Sequence, residues 1–182
     1  MSEVRVVAKS SRKKPPPALL VPTVSVEAPA EELQPLPMVE VLDSLFLSAY
    51  SAACDLGLLT SAGITHILNL TRTSRCPNKF EGQFQYCSLQ MQDVPSTDIL
   101  DMLAQAIAFI EQALQNQGRV LVHCYMGKSR APTVVCGYLA WRFGLTASAA
   151  WEMVRKAQPD VDPNIGYFAQ VQALCQQSFL KH

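Results

Sequence analysis

The sequence predicts an α/β domain, a mostly parallel central sheet of about five strands flanked by helices. Three observations carry that prediction. Short β-branched and aromatic runs alternate along the chain with longer stretches of 3.6-residue apolar period. Apolar residues make up 49% of the 182 residues, enough for a core on both faces of a sheet. Seven of the twelve prolines fall within residues 1–37 and no glycine precedes Gly57, so the core-forming part begins near residue 38. Residues 1–37 are therefore expected to be a flexible, Pro-rich tail, and residues 38–182 one domain.

Each element has its local reason. Val39–Leu42 and Leu45–Ser48 read as two short strands broken at Asp43-Ser44. Residues 51–62 read as one short helix closed by Gly63. Ile64–Leu70 is a buried-type strand, followed by a polar loop from Thr71 to Gly82. Phe84–Gln90 alternates in the manner of a strand. Asp98 suits the N-cap of a helix reaching Asn116, with Ile99, Leu103, Ala106, Ile110 and Ala113 on one face. Gly118 ends that helix and Arg119–His123 is a strand. Residues 131–143 form a helix with Pro132 in its first turn, and helices at 147–158 and roughly 164–178 complete the domain.

Charge narrows the function. Fifteen basic and fifteen acidic residues balance to zero, against the basic surplus of a nucleic-acid binder. No apolar run approaches the ~18–20 residues of a membrane span, and no signal-peptide stretch is present. The expected location is cytoplasm or nucleus. Six cysteines, at 54, 76, 87, 124, 136 and 175, include no CxxC pair and no zinc-type spacing with histidine. Reduced thiols are expected, with Cys54, Cys136 and Cys175 packed in the core.

Cys124 stands apart. The strand Val120-Leu121-Val122 runs into His123-Cys124-Tyr125-Met126-Gly127-Lys128-Ser129-Arg130, and a helix follows. A strand–turn–helix joint aims a row of unpaired backbone N–H groups at one point, where the helix dipole adds positive potential. A thiolate at Cys124 is stabilised by the same groups and is a nucleophile without a separate base. Arg130 offers a planar fork that binds two phosphate oxygens at once. Gly127 supplies the permissive backbone of a tight turn. The spacing H-C-x-x-G-x-x-R between strand and helix therefore reads as a phosphate-binding nucleophile loop.

His123 through Arg130 resembles the signature of the cysteine-dependent protein tyrosine phosphatase superfamily. The flanks are similar to those of the small, atypical dual-specificity protein phosphatases. They are Leu45-Phe46-Leu47, Gly63-Ile64-Thr65-His66-Ile67-Leu68-Asn69 and Pro163-Asn164-Ile165-Gly166-Tyr167-Phe168-Ala169-Gln170. The resemblance covers about residues 38–178. It implies hydrolysis of phosphotyrosine, and often phosphoserine or phosphothreonine, in phosphoprotein substrates without a metal or other cofactor. It also implies a general acid in the loop Met91–Asp98, where Asp93 occupies the matching position. Cys124 is then the nucleophile, Tyr125 to Arg130 hold the phosphate oxygens, and Asp93 protonates the leaving group. His123 supports the loop from behind.

Two departures from the family pattern stand out. Ala131 replaces the Ser or Thr whose hydroxyl stabilises the departing thiolate, and Thr133 lies two positions too far along to be assumed as its substitute. Ser48 stands where the family often has Gly. Three features lie outside the motif. Lys128 adds a cation that would favour a phosphoinositide, or is an exposed lysine. Arg72, Arg75 and Lys79 either line the site or are solvated surface. Cys87 either packs in its strand or forms a protective disulfide with Cys124. In the tail, Arg12-Lys13-Lys14 ahead of Leu19-Leu20-Val21 resembles a kinase docking peptide or a weak nuclear signal. The competing functions are a weakly active or inactive phosphate-binding module, and a phosphatase for a non-protein substrate.

Overall fold

The computed structural model describes residues 37–179. Except for Pro37, the expected tail and its basic cluster lie outside the described residues. Five strands form one sheet: β1 (Val39–Leu42), β2 (Leu45–Ala49), β3 (His66–Asn69), β4 (Gln85–Ser88) and β5 (Val120–Cys124). Their order is β1-β2-β5-β3-β4. β1 and β2 form an antiparallel hairpin and every other pairing is parallel. β2 and β5 are buried at every residue, as expected of parallel strands covered on both faces.

The pleat divides the core into two layers. Leu45, Leu47, Leu68, Val120, Val122 and Cys124 face a cluster built on the later helices. Those are α3 (Leu100–Gln115), α4 (Arg130–Phe143), α5 (Ala147–Ala157) and α6 (Ile165–Phe179). Phe46, Ile67 and Leu121 face the other way, against Ala53 and Leu59. These belong to α1 (Tyr50–Ala53) and α2 (Leu56–Ser61). α4 is buried from Ala131 to Ala140, which fits a helix apolar on nearly every side.

Several local expectations need correction. The single helix expected over 51–62 is two short helices. Asp55 interrupts it by accepting a hydrogen bond from Leu58 N–H at 2.9 Å, which makes Asp55 the N-cap of α2. Cys54 sits half-buried at that break and not in the core, whereas Cys136 and Cys175 are buried. The strands expected over Ile64–Leu70 and Phe84–Gln90 are shorter, His66–Asn69 and Gln85–Ser88. α3 starts later than expected, with Ile99 as N-cap. Asp98 instead accepts from Leu100 N–H at 3.1 Å, one position outside the cap. The apolar face expected on α3 is buried as read, with Ile107 added to it.

Candidate active site

β5 ends at Cys124 and α4 begins at Arg130, so residues 125–129 form the connecting loop. Central placement in the sheet buries Cys124, which is 1% exposed and sits in register with Ala49 of β2. Gly127 has φ +77°, and a Cβ there would come within 2.9 Å of Ala49 N. Both facts demand glycine. Tyr50 N–H donates to Tyr125 O at 3.1 Å, and Asp162 N–H donates to Lys128 O at 2.8 Å. The loop is thus tied on both flanks through its carbonyls. Among the described residues, none accepts a hydrogen bond from the backbone N–H groups of Tyr125 to Ser129. A run of free N–H groups at the start of a 14-residue helix is suited to a tetrahedral oxyanion.

Asp93 and Arg130 meet at this loop. Arg130 Nε lies 3.4 Å from Asp93 Oδ2, an ion pair off the hydrogen-bonding direction, so Nε has no hydrogen-bond partner in the protein. Arg130 Nη1 donates to Met91 O at 3.3 Å. Ser129 Oγ donates to Asp93 Oδ1 at 2.7 Å. The structure therefore brings Arg130 and the loop bearing Asp93 together at the loop that follows Cys124, while Asp98 is held at the start of α3.

His123 faces away from this group. Successive residues of β5 point to opposite faces, and the His123 ring lies 5.8 Å from the Tyr50 ring. It is 2% exposed. Burial lowers its pKa to about 4; the Arg130 charge adds to that and the Cys124 backbone opposes it. The imidazole is neutral near pH 7. Ala131 is fully buried, and Thr133 Oγ1 donates to Ser129 O at 2.8 Å. The Thr133 hydroxyl proton is thus committed to the helix backbone. Ser48, buried, donates its hydroxyl to Ala49 O at 2.9 Å.

Sequence reasoning missed the residues that hold the Asp93 loop. Asn164 Nδ2 donates to Asp93 Oδ1 at 2.9 Å. Tyr167 OH donates to Gln92 O, and Gln170 Nε2 donates to Thr97 O at 2.8 Å. Gln170 Oε1 accepts from Ile99 N–H at 2.8 Å, the cap that Asp98 does not make. Any Cβ at Gly166 would lie 1.9 Å from Pro95 O, so only glycine lets α6 approach so closely. These three side chains and Gly166 all lie in the segment Pro163–Gln170 that carried the resemblance; its pairing with the loop about seventy residues away left no local signal.

A cleft of about 370 Å³ opens beside Arg130 and Asp93, lined also by Arg72, Arg75, Met91 and Tyr125. Lys79 and Lys128 do not line it. Cys87 is half-buried on β4, with its thiol pKa raised by burial. It pairs with Leu68, which pairs in turn with Val122. Two strand spacings, about 9.6 Å, separate β4 from β5. That exceeds disulfide reach, and the pairing of Cys87 with Cys124 is set aside. Among the described residues, no three His, Cys, Asp or Glu side chains gather as a metal site requires. No helix among them is long and apolar enough to cross a membrane.

Residues 45–177 match the family model for the dual specificity phosphatase catalytic domain. Among curated relatives, the chain is 37% identical over 132 residues to the Arabidopsis thaliana protein-tyrosine-phosphatase MKP1. The match covers 72% of this chain and 17% of that protein. It is 36% identical over 142 residues to human dual specificity protein phosphatase 2, covering 75% of this chain and 45% of the relative. The chain thus spans under half the length of either. The crystal structure of human DUSP28 superposes with a TM-score of 0.74 at 32% identity, covering 81% of this chain and 97% of that one. A family match over most of the described domain, on a fold that seats the signature loop at the end of its central strand, establishes that the chain belongs to the dual specificity phosphatase family.

Proposed function

We propose that the chain is a cysteine-dependent phosphatase of phosphoproteins, acting on phosphotyrosine and on phosphoserine or phosphothreonine through a phosphocysteine intermediate. The observation that supports this reading is the pairing of Arg130 with Asp93 at a loop of free N–H groups that follows Cys124. The Cys124 thiolate attacks phosphorus in line while the P–O bond to the leaving group breaks. Arg130 and the N–H groups of Tyr125, Met126, Gly127, Lys128 and Ser129 hold the equatorial oxygens, so positioning and charge stabilisation dominate. Oδ1 of Asp93 accepts from Ser129 and Asn164, so Oδ2, which faces Arg130 until the guanidinium takes the phosphate oxygens, carries the proton given to the leaving oxygen. The ionised carboxylate then takes a proton from water as water attacks phosphorus and the S–P bond breaks. Inorganic phosphate leaves and Asp93 is protonated again. His123, neutral and turned away, supports the loop.

Residues 38–182 carry the activity on this reading, supported by the family match over 45–177. On the same reading the basic cluster Arg12-Lys13-Lys14 suits kinase docking, and the location is cytoplasm or nucleus. Deleting the tail is expected to leave the rate on a small aryl phosphate within about twofold.

Steady-state kinetics on a small aryl phosphate, followed by phosphopeptide and phosphoinositide panels, test the reading. Cys124→Ser is expected to abolish turnover while tungstate or vanadate binding survives, because a neutral alcohol is a far weaker nucleophile. Arg130→Lys is expected to lose most activity, because one ammonium cannot replace the fork. More than about a tenth of wild-type activity in either variant overturns the mechanism.

A further inference from the structure

We infer that Arg72 and Arg75 form a second oxyanion subsite beside the catalytic loop. It takes a carboxylate or phosphate side chain that flanks the phosphorylated residue of a peptide substrate. The inference rests on the phosphatase reading for the first phosphate.

Three observations converge on it. First, Arg72 and Arg75 line the same cleft as Arg130 and Asp93. The cleft's one carboxylate, Asp93, is paired with Arg130, while neither Arg72 nor Arg75 forms an ion pair among the described residues. The cleft therefore carries two uncompensated cations.

Second, the turn bearing them is built. Asn69, fully buried at the end of β3, accepts from Thr71 N–H at 2.9 Å and from Thr71 Oγ1 at 2.6 Å. Its amide donates to Cys76 O at 2.9 Å. Between those anchors, the N–H groups of Arg75 and Cys76 both donate to Arg72 O, at 2.9 and 3.0 Å. Residues 71–76 are thereby closed into one tight turn that presents both arginines. Asn69 is itself in register with His123, so the turn is fixed relative to the strand that ends at Cys124.

Third, Arg75 is aligned with the loop. Its guanidinium carbon lies 5.7 Å from the centroid of the Tyr125 ring, next to Cys124 in sequence. That cation–π contact engages no hydrogen-bond acceptor, so the guanidinium N–H groups stay available to an oxyanion. Both added cations come from a single turn, and Lys128 is not in the cleft. One-sided charge suits a chain running past the reacting residue better than a headgroup encircled by cations.

The test uses the full chain and three phosphotyrosine peptides that differ only in their neighbouring residues: alanine, glutamate or phosphoserine. Wild type is expected to favour the glutamate and phosphoserine peptides over alanine by about 5- to 20-fold in kcat/KM for loss of the tyrosine phosphate alone, and less so at high salt. Comparing those two peptides separates carboxylate from phosphate as the preferred source of charge. Arg72→Gln with Arg75→Gln is expected to bring the preference within about twofold, and Arg72→Glu with Arg75→Glu to turn it toward a fourth, lysine-flanked peptide added for that variant. Binding of the same peptides to the Cys124→Ser chain repeats the measurement without turnover. Equal use of all three peptides by wild type, or a preference that survives the double substitution, overturns the subsite. So does arginine-dependent capture of phosphatidylinositol phosphate vesicles by a chain that reads the peptides equally. A chain that selects acidic peptides through these arginines but hydrolyses no aryl phosphate sustains the subsite and sinks the phosphatase reading.

Discussion

Asn164, in the segment leading into α6, holds Asp93 by a 2.9 Å hydrogen bond from its side-chain amide to Oδ1. The same residue receives Tyr167 N–H on its side-chain oxygen at 3.0 Å, so its orientation is fixed by the first turn of α6. A residue that fixes the acid without touching substrate has a distinctive kinetic mark. Asn164→Ala is expected to lower kcat on an alkyl phosphate about tenfold, the worth of one hydrogen bond to a charged group. The effect on an activated aryl phosphate, which needs little protonation, should be under about threefold. A uniform loss on both substrates, or a change confined to KM, would reassign Asn164 to binding or to folding.

The two aspartates of the acid loop occupy different environments. Asp93 faces Arg130, while Asp98 accepts from Leu100 N–H at the start of α3. Asp93→Asn is therefore expected to slow alkyl phosphate hydrolysis by roughly 10²–10⁴-fold, with a smaller loss on good leaving groups. Asp98→Asn is expected to cost at most about 1 kcal/mol of stability and little activity. Leaving-group dependence in the second variant and not the first would exchange the assignments.

Ala131 is expected to make the second chemical step the slow one. Its hydroxyl is missing, and the nearest replacement, Thr133, donates to Ser129 O instead. Rapid mixing with an aryl phosphate is expected to show a burst near one equivalent per active site. A hydroxyl restored by Ala131→Ser is worth roughly 1.5–3 kcal/mol to the departing sulfur, about 10- to 150-fold in the steady-state rate. The absence of a burst, with no acceleration in the variant, would mean that another donor already serves.

His123 couples stability to acid. Its pKa is about 4 folded and near 6.5 unfolded, so the unfolded chain binds the proton first as pH falls. The stability tied to the neutral ring is fully present above about pH 6.5 and is lost as pH drops through about 4. A shift of that size is worth about 3 kcal/mol. Denaturant unfolding between pH 7 and 4 should show a steeper decline in wild type than in His123→Gln. Parallel pH profiles would contradict the assignment of a neutral buried imidazole.

The sequence by itself determined the parts whose cause is local. Alternating strand and helix periods set the α/β order, and the runs at Leu45–Ser48 and Arg119–His123 read as strands from their own residues. The residues 123–130 carried their own chemistry, because a nucleophile, a glycine turn and an arginine at fixed spacing constrain one another within a single loop. Helix edges were less legible: Asp55 splits a helix that periodicity joined, since a carboxylate that caps one turn also ends the turn before it. Only the tertiary structure decided what depends on distant chain segments meeting. Strand order put Cys87 two strands from Cys124. Buried Asn69 closed the turn that carries Arg72 and Arg75. α6 reached across about seventy residues to fasten the Asp93 loop through Asn164 and Gln170. Such pairings follow from which polar groups burial leaves in want of a partner, and that is settled only once the layers have packed.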